Sequence, residues 1–135
     1  MIEKLIEEAF LARECAYTPY SHFRVGAALL AENGTIYRGC NIENAAYTPS
    51  NCAERTAFFK AVSEGERSFR AIAIVGGKED EESLDYCAPC GVCRQVMREF
   101  CPDDFRIILA KSATEYQVYT LKQLLPESFG PDNLK

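Results

Sequence analysis

Three cysteines in two short motifs constrain this chain more than any other feature. Cys52-Ala53-Glu54 opens one run of helical periodicity, and Pro89-Cys90-Gly91-Val92-Cys93 opens another. Cys90 and Cys93 stand three apart, so a helix puts them on one face. Pro89 suits a helix entrance, where its missing N–H costs little. A helix N-terminus carries unpaired N–H groups and a partial positive charge, and both favour thiolate over thiol. A fold that brings the two helix starts together aims three thiolates at one point.

The surrounding periodicity predicts the other elements. Ile2, Leu5, Ile6, Ala9, Phe10 and Leu11 recur at helical spacing over residues 2 to 15, with acidic residues between them. Tyr17-Thr18-Pro19-Tyr20-Ser21 breaks that helix. Arg24 to Leu30 predicts a buried strand. Asn33-Gly34 predicts a hairpin with both residues at positive φ, and residues 35 to 42 the returning strand. The second helix covers about 52 to 64, and Gly65 ends it. Phe69 to Val75 predicts a third strand with Gly76-Gly77 as its exit, followed by a charged, solvated loop at 78 to 85. A third helix at about 90 to 100, strands at 105 to 109 and 116 to 119, and a short helix at 121 to 125 complete the order. Helices interleaved with strands imply an α/β fold: a three-layer α/β/α sandwich on a mixed five-stranded sheet. Residues 1 to 135 are expected to form one domain with one core.

Composition narrows the class. At 47% hydrophobic and 26% charged residues the chain is an ordinary globular one, not a disordered tail. Fifteen Lys and Arg against twenty Asp and Glu give a net charge of -5, which excludes the basic footprint of a nucleic-acid binder. The longest apolar stretch, Val25 to Ala31, is far too short to span a membrane. Met1-Ile2-Glu3-Lys4 is not the basic start of an export signal, so a cytoplasmic location is expected. In a reducing compartment the seven cysteines read as buried small residues, metal ligands or reactive thiols rather than disulfides. Asn33-Gly34-Thr35 matches a glycosylation sequon, but a turn explains it better in that setting.

Three protein ligands, rather than four, mark a catalytic zinc, because the fourth position is left for water. The metal draws the pKa of that water towards ~7. Glu54, on the first turn beside Cys52, can reach such a water and move its proton without being a ligand. Zinc with three thiolates carries net charge -1, and an adjacent guanidinium offsets part of it. Arg55 is placed for that work, and Arg94 is a second candidate. A Cys-x-x-Cys alone leaves two other readings open, a thiol oxidoreductase and a zinc-stapled interaction module. Neither gives Glu54 a task.

The order and content of five segments are distinctive: Tyr20 to Ala28, Gly39 to Asn44, Cys52 to Ala57, Pro89 to Gln95, and Leu124 to Phe129. Together they resemble the cytidine deaminase family, in its small homotetrameric, three-cysteine branch, over nearly the whole chain. The resemblance implies a zinc hydrolase of pyrimidine salvage. It would convert cytidine and 2′-deoxycytidine to uridine and 2′-deoxyuridine, with release of ammonia. It implies that Cys52, Cys90 and Cys93 hold Zn2+ and that Glu54 shuttles protons. The Ala53 N–H would meet the pyrimidine carbonyl, Asn41 and Glu43 the ribose hydroxyls, and Phe23 would wall the base. Phe129 would close a neighbouring subunit's pocket. Asn41 and Glu43 also stand i and i+2 at the end of the returning strand, and extended backbone there would put an amide and a carboxylate on one face.

The remaining candidates read as structural. Cys15, Cys40, Cys87 and Cys101 are expected to be buried and inert, as free cysteines commonly are, and Cys87 is set aside as a ligand because a fourth thiolate would close the metal site. His22 belongs to a loop motif, and Tyr47 has at most a supporting role near subunit contacts. The acidic stretch Asp80 to Cys87 departs from compact bacterial members of the family and puts substrate preference in question.

Overall fold

The computed structural model describes residues 1 to 135. Its elements are α1 (Ile2–Arg13), β1 (Phe23–Ala31), β2 (Ile36–Cys40), α2 (Ala53–Ser63), β3 (Phe69–Lys78), α3 (Gly91–Phe100), β4 (Arg106–Ala110), β5 (Tyr116–Thr120) and α4 (Leu121–Leu124), with a final 3-10 turn at Pro131–Leu134. The sheet order is β2-β1-β3-β4-β5. Pairing is antiparallel except between β3 and β4, which the α3 crossover joins in parallel. No helix is long and apolar enough to cross a membrane.

Alternation along the strands makes the layers. In β1, Ala28 and Leu30 face α1 and pack with Leu5, Ile6, Ala9, Ala71, Ala73 and Ile108. Ala27, Leu29 and Ala31 face the other way, with Ala57, Phe58, Ile72, Ile74, Met97 and Ile107. The sheet is therefore covered by α1 on one side and by α2 and α3 on the other, the expected α/β/α sandwich. Phe58 is the aromatic centre of the second layer, with Phe69 at 5.2 Å and Phe105 at 6.1 Å between ring centroids.

Strand direction decides where the helix starts fall. β2 and β3 both run antiparallel to β1, so they are parallel to each other. Each leads from its C-terminal end towards a helix on the same face, which puts the N-termini of α2 and α3 at one end of the sheet. Ligands gather at that end of strands in α/β sheets generally.

Five local expectations need correcting. The 31–35 hairpin is not the turn with two positive φ values. Only Gly34 is left-handed (φ +93°), with Gly34 N–H donating to Ala31 O, while Asn33 Oδ1 accepts from Thr35 N–H. This is a tight turn followed by one left-handed residue, the usual three-residue alternative. β2 stops at Cys40, so Asn41 and Glu43 lie beyond the strand. β3 runs on through Gly76 and Gly77, which pair with Val25 and Arg24 of β1, and Cys87 and Leu84 lie against the glycine backbones. A Cβ on Gly76 would stand 2.8 Å from Cys87 Sγ, and one on Gly77 2.5 Å from Leu84 Cδ2. The 78–85 segment is thus only partly solvated, with Leu84 in the α1-side core. Cys15 is exposed and Cys40 and Cys87 are half-buried; of the four cysteines outside the motifs only Cys101 is fully buried.

Candidate metal centre

Cys52 and Cys90 are the N-cap residues of α2 and α3. Both have extended backbones (φ -77°, ψ 157° and φ -68°, ψ 165°), and neither spends its side chain on its helix. The thiols are free to point across the gap between the helices. Cys93, one turn into α3, is buried. The three Sγ atoms lie within 4.8 Å of one another, Cys52 to Cys90 at 3.7 Å and Cys90 to Cys93 at 3.5 Å. Zinc–sulfur bonds of about 2.3 Å in a tetrahedron require sulfurs about 3.8 Å apart, so the triangle fits the ion. A fourth protein ligand is absent from the cluster.

The charges fit as well. The Arg55 guanidinium donates to Cys52 Sγ at 3.1 Å. Hydrogen bonding from Cys93 foremost, and then from Arg55, holds Cys52 down at about 5, a thiolate at neutral pH. Cys93 moves the opposite way, because its proton is shared with the Cys52 sulfur. The thiolates in turn hold Arg55 firmly protonated. Arg55 Nε has no partner although buried. Arg94 does not take part. It donates to Pro89 O at 2.8 Å and Leu124 O at 2.7 Å, fixing the loop ahead of Cys90 rather than the sulfurs.

Glu54 is 4% exposed, on the first turn of α2. Burial pushes its carboxyl up to about 7, and the charge on Cys52 adds to the rise. A carboxyl poised there can both accept and return a proton near neutral pH. Ala53, the first helical residue and fully buried, has an N–H with no intrahelical acceptor. Burial pushes Cys87 to about 11, so that thiol stays protonated, with Glu54 and Cys52 among the charges that raise it.

Three of the predicted substrate residues, Phe23, Asn41 and Glu43, form a neighbouring group. Ile42 pairs with Asn51 through both backbone bonds, at 3.0 and 2.9 Å, which brings the 41–43 segment beside the residue preceding Cys52. Asn41 Nδ2 donates to Phe23 O at 2.8 Å, and its Oδ1 accepts from Val25 N–H at 2.9 Å. The side chain thus adds to the backbone bond from Asn41 N–H to Val25 O, at 3.3 Å, where β2 leaves β1. Glu43 Oε1 accepts from the Tyr20 and Ser21 N–H groups at 3.0 and 3.1 Å, and its Oε2 accepts from the Ser21 hydroxyl. Those bonds hold the Glu43 carboxyl below its ordinary range. Ser21 was not singled out from the sequence. It binds Glu43 and accepts from Phe23 N–H at 3.0 Å, yet a serine in a Pro-Tyr-Ser-His turn carries no signal of that. His22 (φ +57°) sits 3.2 Å from Glu79, and Tyr47 (φ +63°) packs edge-on to Tyr20. Phe129 is on the C-terminal tail, 59% exposed.

This geometry has close counterparts. The model of the cytidine and deoxycytidylate deaminase zinc-binding region matches residues 1–109. The cytidine deaminase of Sporosarcina psychrophila is 55% identical over 133 residues, covering 98% of this chain and 94% of its own. That of Halalkalibacterium halodurans is 49% identical over 132 residues, with 98% and 96% covered. The crystal structure of the cytidine deaminase from Burkholderia pseudomallei superposes with a TM-score of 0.84 at 46% identity, covering 93% of this chain and 97% of that one. With a zinc-ready thiol triangle, a buried glutamate beside it and these relatives along its length, the chain belongs to the cytidine and deoxycytidylate deaminase family.

Proposed function

We propose that this protein, as one domain over residues 1–135, deaminates cytidine and 2′-deoxycytidine hydrolytically, giving uridine or 2′-deoxyuridine and ammonia in pyrimidine salvage. The observation that carries the reading is the placement of buried Glu54 one turn from a triangle of thiols sized for zinc. Cys52, Cys90 and Cys93 would hold the ion. Zinc bound there supplies Lewis-acid activation of a water molecule.

The chain's own residues do the rest. Glu54 takes one proton from the attacking water and gives it to ring N3 as hydroxide adds at C4, then carries the remaining C4 hydroxyl proton to the amine, which leaves as ammonia while the C4 carbonyl forms. The Ala53 N–H donates to the pyrimidine carbonyl, at a helix start where such a donor is unspent. Asn41 and Glu43 hold the ribose hydroxyls, and a pair of neutral amide and carboxylate suits a nucleoside better than a nucleotide. Phe23 walls the base. Arg55 tempers the charge of the thiolates. Phe129 closes the pocket of a neighbouring copy, so the working form is a homotetramer with shared sites. The setting is cytoplasmic, where thiols persist.

The test is a deamination assay on zinc-loaded protein with cytidine and deoxycytidine, following ammonia and the ultraviolet change, with Glu54→Gln in parallel. Turnover is expected, and the variant should lose about 10²–10⁴-fold while keeping its zinc. Inactive wild type would overturn the proposed reaction, and an active variant the role of Glu54.

A further inference from the structure

The C-terminal tail is held by the helix that carries two of the thiols. From α3, Gln95 Nε2 donates to Phe129 O at 2.8 Å and Arg98 Nε donates to Ser128 Oγ at 3.0 Å. Gly130 is buried directly against the same arginine. A Cβ there would stand 2.4 Å from Arg98 Cζ and Nη1, so the guanidinium lies on the glycine backbone. Ser128 and Gly130 therefore face α3, and the residue between them faces away. That residue is Phe129, left 59% exposed on a tail pinned on both sides. Two polar side chains of α3, Gln95 and Arg98, are spent on the stretch 128–130, whose one large apolar side chain is exposed. Such an arrangement stabilises a presented aromatic ring rather than a local core.

We propose that Arg98 and Gly130, with Gln95, are positioning residues that fix the rotation of the tail and so present Phe129 to the nucleoside pocket of a second copy of this chain. The proposal rests on the reading that Phe129 serves a neighbour's site. The residues act through Phe129 and touch no substrate. Loss of the clamp should leave the chain's own thiols and Glu54 in place and weaken substrate binding next door. An interaction lost equally from ground and transition state raises KM and spares kcat.

Gly130→Ala drives a methyl into the guanidinium, and Arg98→Met removes both donor and platform. Each is expected to keep its zinc and its kcat for cytidine and to raise KM roughly ten-fold, about the worth of one aromatic contact. Amide hydrogen exchange at residues 128–134 should speed up in both. In an oligomer co-assembled from Glu54→Gln and Gly130→Ala chains, sites combining an intact Glu54 with an intact neighbouring tail should recover activity at low cytidine. They should exceed Gly130→Ala alone, counted per intact Glu54. Unchanged KM, a parallel loss of kcat and zinc, or no gain on co-assembly would overturn the proposal. If the wild type fails to deaminate cytidine, the proposed reaction falls instead. Hydrogen exchange then decides the clamp, and unchanged exchange overturns it.

Discussion

Gly39 of β2 lies directly against the first residue of α2: a Cβ on Gly39 would fall 2.2 Å from Ala53 O and 2.5 Å from Ala57 N. The missing side chain lets the helix seat on the sheet with Cys52 and Glu54 at its start. Gly26 does the same for α1 on the opposite face, where a Cβ would meet Ala9 O at 2.1 Å. Gly39→Ala must push α2 outward, since the obstacle is backbone. It should cost about 1–3 kcal/mol of stability and weaken zinc retention together. Thermal unfolding and competition with a chelator check both, and a variant normal in both would refute the seating argument.

Arg55 stands 3.1 Å from Cys52 Sγ and is one of the two main groups holding that thiol low. Arg55→Gln should let Cys52 titrate higher in the zinc-free protein, which thiolate absorbance follows. In the zinc-loaded protein about 10–100-fold of activity or metal affinity should be lost, the usual effect of a group that tunes a ligand.

Asn41 has two tasks. Because its amide stitches Phe23 and Val25 to the end of β2, Asn41→Ala should cost about 1–2 kcal/mol of stability for two hydrogen bonds, besides raising KM for cytidine. Denaturant unfolding measures the first effect and steady-state kinetics the second. A KM unchanged by the substitution would leave Asn41 a structural residue only.

Glu8 joins α1 to β2 through a two-pronged bond with Arg38, at 3.0 and 2.9 Å. The Arg38 hydrogen bond holds the Glu8 carboxyl below its ordinary 4.5. The folded state therefore binds this proton more weakly than the unfolded one. The stabilisation is present above pH 4.5 and is lost as pH falls through the lower folded value. Glu8→Gln should lower stability at pH 7 by about 1 kcal/mol, the upper range for a pair at the surface. The difference should vanish in acid, and a difference that persists at pH 2 would point to packing instead.

The helices, the three thiols that gather and the acid beside them are legible in the chain's local pattern. Helical periodicity and the helix-start motifs are local: neighbours a turn apart specify them wherever the chain lies. Most strand ends fell within a residue or two for the same reason. Tertiary structure alone decided what distant residues do to one another. Gly76 and Gly77 read as a strand exit because glycine weakens a strand. They stay in β3 because they pair with Val25 and Arg24 of β1, and Cys87 and Leu84, from a later loop, pack on their empty faces. Arg94 has the right charge for the thiolates, yet the backbone of Leu124 lies closer to hand. The convergence of Cys52 with Cys90 and Cys93 is likewise not written in either motif. It follows from β2 and β3 running parallel on either side of β1, a pairing that long-range burial selects and no local window of sequence contains.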